Sequence, residues 1–265
     1  MFKENFILKR VFLVIVLALF LISCGGNKPT PEWNASDYFK AAKEKFDDES
    51  YFEASNDFNV VLLRFAGSVV ADSAQFYLAE SHFKMGDYLI AGVEFEKLIN
   101  DMNQSPLVKQ SQMKLADSYY ELSPRSALDQ EYTLKSIREY QYFIDEFPTD
   151  TSKQTAEKRI FELRGKLSKK EWQNAEIYRK MKEFKAAIIY YDQVLSKYYD
   201  TDWADDSQYG KVITLIEAED VEQANLEAVK FEEQFPDSEL LEKLLDSKKE
   251  IKEMQDELAK NEKSE

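Results

Sequence analysis

From residue 35 onward, apolar residues recur three and four positions apart, the spacing of one face of an α-helix. The stretches "ESYFEASNDFNVVLLRF" (49–65), "GDYLIAGVEFEKLINDM" (86–102) and "KEFKAAIIYYDQVLSKY" (182–198) share a frame. Each has an aromatic residue, an alanine three positions on, and a second aromatic four further. "TLKSIREYQYFIDEFP" (133–148) and "DVEQANLEAVKFEEQFP" (220–236) are fuller versions that close on proline. Ahead of each lies another helical stretch with a small residue on its inner face: Ala42, Ala79, Ala116, Ala175 and Gly210. The pattern predicts five helix–turn–helix units, near 35–68, 72–105, 106–148, 168–201 and 203–237. The third is lengthened by "SPRSALDQ" (123–130). Between the third and fourth, Ile160, Leu163 and Leu167 share one face of "TSKQTAEKRIFELRGKLSKK". The stretch runs on without proline, which predicts one helix of roughly 25–30 residues, with Gly165 its weak point. In the tail, Ser238 is a candidate N-cap, and Leu241, Leu244, Leu245 and Ile251 form an apolar stripe amid dense charge. A helix that caps the last unit and a helix that pairs with a partner both fit this stripe.

The five units resemble the tetratricopeptide repeat, in which small residues let two helices approach and large ones fill the gaps. Tyr51, Tyr88 and Phe184 match the aromatic that opens the second helix. Ala54, Ala91, Ala187 and Ala224 match its small residue, with Ser136 in the third copy. Phe58, Phe95, Tyr140 and Tyr191 match the later aromatic, and Ala228 replaces it in the last copy. Gly86 alone keeps the glycine between helices, and only Pro148 and Pro236 keep the closing proline. The expected fold is therefore all-α: an α-solenoid of about five hairpins, with a long connecting helix before the fourth and a C-terminal capping helix.

The front of the chain has another pattern. Lys3, Lys9 and Arg10 precede "VFLVIVLALFLI" (11–22), an uncharged apolar run. At about 1.5 Å per residue it falls well short of the roughly 30 Å hydrocarbon core of a bilayer. It has the length of a signal-peptide core. Leu21, Ile22 and Ser23 then lead into Cys24, the only cysteine, with Gly25 and Gly26 following. This resembles the bacterial lipobox, which implies cleavage before Cys24, acyl chains on its thiol and stable anchoring. Residues 1–23 are then a lipoprotein signal peptide, and 24–34, "CGGNKPTPEWN", a lipidated leash that resists helix and strand alike.

Composition narrows the function. A formal net charge of −15 argues against nucleic acid, whose phosphates need a basic surface. Eighteen Phe and fifteen Tyr supply a core, while seven Gly and six Pro are few for a turn-rich β protein. A single cysteine leaves no disulfide within the chain. No active site emerges. The lone His82 reads as a packing residue, and without a second histidine or a free cysteine no zinc site or Cys–His pair can be built. No calcium loop or glycine-rich phosphate loop occurs. The expectation is a protein that is not an enzyme and needs no metal or cofactor beyond the acyl chains.

The order of lipobox, leash, five repeats, enlarged third unit and connecting helix is similar to the outer-membrane assembly factor BamD family. The resemblance rests on Pro148 and Thr151, Ala156, Lys158, Arg159 and Ile160, Lys169 and Glu171, Ala175 and Tyr178, Ala186 and Ala187, and Tyr199-Asp200-Thr201. Tyr199 stands where that family has proline, and the tail beyond 237 is longer and more charged than expected. The resemblance implies a lipid-anchored protein on the periplasmic face of the outer membrane. Its partners would be a BamA-like barrel protein, bound through POTRA domains, unfolded β-barrel substrates and other assembly lipoproteins. Repeats 35–148 would face substrate, 149–237 would face BamA, and 238–265 would be a charged helix and frayed tail. Two other readings stay open: an adaptor for cell-wall or division enzymes, and a carrier of soluble peptide or glycan.

Two candidate sites follow. By repeat register, Phe39, Phe46, Phe76, Phe83, Tyr120 and Trp172 fall at first-helix positions that face a groove, where aromatic anchors are worth most; the same seven-residue spacing also serves core packing. Arg159, Arg164, Tyr190, Lys197 and Tyr198 are the candidate partner interface, since Arg and Tyr are enriched at interfaces.

Overall fold

The computed structural model describes residues 32–262. The expected signal peptide, and Cys24 with the acyl anchor expected on it, lie outside the described residues. Those described form eleven helices and no strand: α1 Ala35–Asp47, α2 Tyr51–Arg64, α3 Ala71–Met85, α4 Tyr88–Asp101, α5 Val108–Leu122, α6 Glu131–Glu146, α7 Lys153–Lys180, α8 Phe184–Lys197, α9 Ala204–Glu217, α10 Val221–Gln234 and α11 Leu241–Glu262. These are the hairpins of an α-solenoid, with the long connecting helix (α7) and the terminal helix (α11) in their expected places. Two residues assigned to the leash belong to the fold. Asn34 caps α1 by accepting from the Ser36 and Asp37 amides at 2.8 and 3.2 Å. Asp37 reaches back to the Asn34 amide at 3.1 Å, completing a capping box, and the Trp33 ring meets Tyr38 edge-on at 5.3 Å.

The chain forms two compact units, divided between Met85 and Gly86. In the first, Ala42 and Ala54 are fully buried where α1 crosses α2, and Phe58 and Val61 fill the space beside them. In the second, the same device recurs. Ala116 and Ser136, Ala175 and Ala187, and Val212 and Ala224 are fully buried pairs at the hairpin crossings. Ser136 keeps its hydroxyl inside by donating to the Ala116 carbonyl at 3.0 Å, which removes the cost of an unpaired buried polar group. Phe95, Tyr140 and Tyr191 are fully buried, each worth about 1.5–3 kcal/mol of transfer free energy. The last hairpin exchanges large for small: Ala228 takes the aromatic position, and Phe231, one turn later, is buried where the other hairpins carry Val61, Leu98, Phe143 and Val194.

The missing turn residues are explained by backbone geometry. Gly86 has φ +83°, and Glu49, Lys182 and Glu219 adopt φ +60°, +64° and +59° at the corresponding turns. The left-handed residue that ends the first helix of a hairpin is thus kept in copies that lack glycine. The exit from the second helix repeats as well. Phe65, Met102, Phe147, Tyr198 and Phe235 each donate their amide to the carbonyl four residues back. Each then accepts, on its own carbonyl, the amide three residues on. Proline follows in only two of these five turns; the turn forms without it.

Three local expectations change. Gly210 is not the counterpart of Ala42. The residue twelve before Ala224 is Val212, fully buried, while Gly210 faces the Tyr191 ring of the preceding hairpin. Ser238 does not cap α11 directly. Its hydroxyl accepts from the Leu240 amide at 3.1 Å and donates to Asp205 at 2.7 Å, one turn before the helix begins at Leu241. Leu244 and Ile251 are buried against Val212, Leu215 and Phe231, so α11 caps the last hairpin, but Leu245 points to solvent.

Candidate functional site

The six groove candidates divide by environment. Phe39 and Phe46 are half-buried and meet the Tyr77 ring at 6.1 and 5.2 Å, with Phe39 also against Phe58. Phe76 is only 7% exposed and meets Tyr77 edge-on. Phe83 is half-buried. In the second unit, Tyr120 and Trp172 are half-buried. The first unit therefore gathers Phe39, Phe46 and Phe76 around one tyrosine rather than along an open ladder. Burial leaves Phe76 little surface for any ligand.

Tyr120 is tied to a residue expected at the partner interface. The Arg159 guanidinium lies 3.9 Å from its ring centroid, and its hydroxyl donates to Glu162 at 2.7 Å. Beneath this pair the fully buried Tyr140 donates to Asp117 at 2.6 Å. Burial, with the Asp117 carboxylate adding to it, pushes the Tyr140 phenol well above its ordinary range. Arg159 thus completes a polar network linking α5, α6 and α7. The other interface candidates converge elsewhere. Arg164 donates to the Lys197 carbonyl at 2.8 Å and to Asp200 at 2.6 Å, with its guanidinium 5.5 Å from the Tyr198 ring. Arg164, Lys197 and Tyr198 therefore form one surface where α8 ends. Tyr190 lies apart, stacked on Tyr178 at 5.2 Å.

Below Tyr190, Tyr191 donates to Glu176, and Arg179 bonds Glu176 at 2.9 Å and Glu217 at 2.5 Å. Burial works to raise the Glu176 pKa, but the bonds from Arg179 and Tyr191 outweigh it and leave it lowered. One recurring pair was invisible in the sequence. Gln112 donates to the backbone and carboxylate oxygens of Glu139 at 3.3 and 3.1 Å, and Gln208 does the same to Glu227 at 2.9 and 2.8 Å. Both glutamines stand four residues before the small or aliphatic crossing residue, Ala116 or Val212. A glutamine repeated in that register was the available signal.

The segment 123–130 packs onto α7. Gln130 donates to the carbonyls of Arg125 and Leu128, both at 3.0 Å, and accepts from Thr133 at 2.7 Å. From α7, Lys166 donates to the Ser123 hydroxyl at 2.7 Å and Lys170 to the Leu128 carbonyl at 2.6 Å, while Gln173 accepts from Ser126 at 3.0 Å. Burial lowers the Lys166 pKa. Beside this seam lies a cavity of about 430 Å³ lined by Ala127, Lys170, Trp172, Gln173, Asn174, Glu176, Ile177 and Lys180. Of these, sequence reading named Trp172 as a site residue and marked Ala127 only within the inserted segment 123–130; the lysine surplus in "KLSKKEWQ" (166–173) was a signal for Lys170 alone. Among the described residues, no group of His, Cys, Asp and Glu could hold a metal ion, and no helix is long and apolar enough to cross a membrane.

Known proteins bear on this arrangement. The chain is similar to a thermophilic tetratricopeptide-repeat protein of Thermus thermophilus, at 16% identity over 83% of this chain and 98% of that one, with a TM-score of 0.36. It is similar to a tetratricopeptide-repeat protein of Bacteroides fragilis, at 13% identity over 85% and 98%, with a TM-score of 0.41. A third is the TPR2AB domain of yeast Sti1, at 12% identity over 87% and 94%, with a TM-score of 0.41. No curated protein matches the chain. A family model, described as an outer membrane lipoprotein, YfiO, matches residues 31–214. That match runs from the end of the leash through the connecting helix and into α9, and the chain belongs to the YfiO family of outer membrane lipoproteins.

Proposed function

We propose that the chain is a non-catalytic scaffold of the outer-membrane β-barrel assembly machinery. In this reading Cys24 carries the acyl anchor and the repeats stand on the periplasmic face. They bind a BamA-like barrel protein through its POTRA domains and receive unfolded β-barrel chains, with other assembly lipoproteins as further partners. The observation that carries the reading is the YfiO match over residues 31–214, which takes in α7 together with the hairpins on either side of it. The surface of Arg164, Lys197 and Tyr198 is the docking face we favour, and the first-unit aromatics Phe39 and Phe46 are the favoured substrate contacts.

The test is copurification of the tagged, lipidated chain from membranes in mild detergent. A large barrel protein with POTRA domains is expected in stoichiometric amount, and depletion of the chain is expected to lower many outer-membrane barrels together. Recovery of cell-wall or division enzymes instead, with barrel levels unchanged, would replace this reading with an adaptor role.

A further inference from the structure

We infer that the cavity between segment 123–130 and α7 is a binding site for a peptide that presents a carboxylate side chain next to a bulky apolar one. The first argument is charge. Helix α7 carries nine Lys and Arg against four Glu, in a chain whose formal net charge is −15. It is a basic island on an acidic protein, and potentials of this kind select oppositely charged partners.

The second argument is the state of the groups that line the cavity. Lys170 and Lys180 bring two cations. Lys170 spends one donor on the Leu128 carbonyl, and an ammonium has three. Lys180 is exposed and makes no hydrogen bond or ion pair among the described residues. The one acid in the wall, Glu176, has both carboxylate oxygens engaged by Arg179 and Tyr191; it also feels the Lys180 charge, but it is one acid against two lysines. Gln173 has its amide oxygen engaged by Ser126, which leaves its NH₂ as the group to offer. Asn174 gives its NH₂ to Glu171 at 3.4 Å, which leaves its amide oxygen as an acceptor, but the donors of Lys170, Lys180 and Gln173 outnumber it, which suits an anion.

The third argument is the apolar wall. Trp172 is braced by Trp203 at 4.8 Å between centroids, and Ile177 is 54% exposed. A rigid aromatic face beside an exposed aliphatic one fits a bulky side chain that enters with the carboxylate. The volume, about 430 Å³, is within the range of small-ligand sites and holds a few side chains, not a folded domain. This inference does not depend on the assembly reading, because it concerns one pocket and a short peptide.

The test is fluorescence anisotropy of the full mature chain in detergent with a labelled peptide, Gly-Phe-Glu-Glu-Leu-Ser-Gly, amidated at its C-terminus. Binding that falls roughly tenfold when both glutamates become glutamine is expected, the size of a charge-assisted hydrogen bond. Lys180→Ala is expected to weaken binding about as much and Lys180→Arg to restore most of it, with circular dichroism unchanged. Ile177→Ser is expected to weaken the peptide without altering its salt dependence. No binding of the parent peptide, or equal binding by wild type, Lys180→Ala and Lys180→Glu, would overturn the inference. So would preference for a free C-terminus over the internal glutamates, since the carboxylate would then come from a chain end.

Discussion

Gly210 lies so close to Tyr191 that a Cβ built on it would stand 2.6 Å from the ring Cζ and 2.7 Å from Cε1 and the hydroxyl oxygen. The ring cannot swing away, because it is fully buried and its hydroxyl is bonded to Glu176. Gly210 therefore sets how near α9 comes to α8. Gly165, in the middle of α7, has nothing within 4 Å of such a Cβ. The two sites predict opposite signs. Gly210→Ala should destabilise the fold by about 1–3 kcal/mol through overpacking, in spite of alanine's better helix propensity. Gly165→Ala should stabilise it by up to about 1 kcal/mol. Urea denaturation of both variants checks this; a Gly210→Ala protein as stable as wild type would remove the packing argument.

A second pair of signs comes from the hairpin turns. Lys182 at φ +64° and Glu219 at φ +59° hold a conformation that costs a residue with a Cβ roughly 1–2 kcal/mol. Lys182→Gly and Glu219→Gly should each raise stability, by about 0.5–1 kcal/mol after the greater freedom of glycine in the unfolded chain is deducted. Gly86→Ala should lower it by about 1 kcal/mol, since the same turn would then carry the strain. Differential scanning calorimetry of the three variants is sufficient, and a fall in Tm for both glycine replacements would contradict it.

These positions also mark what the sequence could and could not disclose. The apolar period located all eleven helices of the described residues, because packing one face of each helix fixes that period. The small-residue crossings at Ala42, Ala54, Ala175 and Ala187 were legible for the same reason. Missing glycines and prolines looked like departures from the repeat, yet backbone hydrogen bonds hold the turns at Glu49, Lys182, Tyr198 and elsewhere without them. Gly210 was misassigned because a small residue in a helix does not say which neighbour requires it to be small. Long-range polar pairs were the least legible: Arg159 meets Tyr120 across helices whose relative rotation no local pattern encodes, and the Gln208–Glu227 pair left only the repeated glutamine register as its trace.

The buried acids predict how stability changes with pH. For Glu227, burial favours the neutral form, but bonds from Lys230, Gln208 and Lys211 outweigh it, and its pKa, like that of Glu176, is lowered from the usual 4.5. A group whose pKa is depressed on folding stabilises the folded chain above its unfolded pKa and loses that contribution as pH falls through its folded one. Stability should therefore hold from neutral pH to near 4.5 and decline below it. At the alkaline end, Tyr140 and Tyr191 are raised from 10.0, chiefly by burial. Their contribution is complete below pH 10 and is lost above it, where the unfolded chain releases the phenol protons first. Thermal melts from pH 3 to 11 check both limbs. Glu227→Gln should flatten the acid limb, and an acid limb as steep in that variant would assign the effect to other carboxylates.

At the N-terminus the prediction concerns location. If Cys24 carries the two or more acyl chains proposed for it, they suffice for stable anchoring, and among the described residues no helix is long and apolar enough to cross a membrane. With residues 1–23 replaced by an ordinary cleavable signal, so that the apolar run 11–22 is removed in either case, Cys24→Ser should leave the protein in the soluble fraction after a high-salt wash, with its helix content intact by circular dichroism. Retention of the variant on membranes would mean that something other than acylation holds it there.

Arg164 separates a stabilising role from a docking one. Its side chain is 28% exposed, so its pair with Asp200 is worth no more than about 1 kcal/mol. The bond to the Lys197 carbonyl places positive charge at the C-terminal end of α8, where it is favourable by a further few tenths. Arg164→Ala should therefore cost about 1 kcal/mol in denaturation, and Arg164→Lys less, because the ammonium keeps the charge but not the two-pronged geometry. If this corner docks the barrel protein, copurification should fall severalfold in Arg164→Ala, in Tyr198→Ala and in the exposed Lys197→Glu, which leaves the Lys197 carbonyl in place. The lysine variant should then lie between. Unchanged copurification by a well-folded Lys197→Glu and Arg164→Ala would limit the cluster to bracing the turn after α8, and the docking face would have to be sought around Tyr190 and Tyr178.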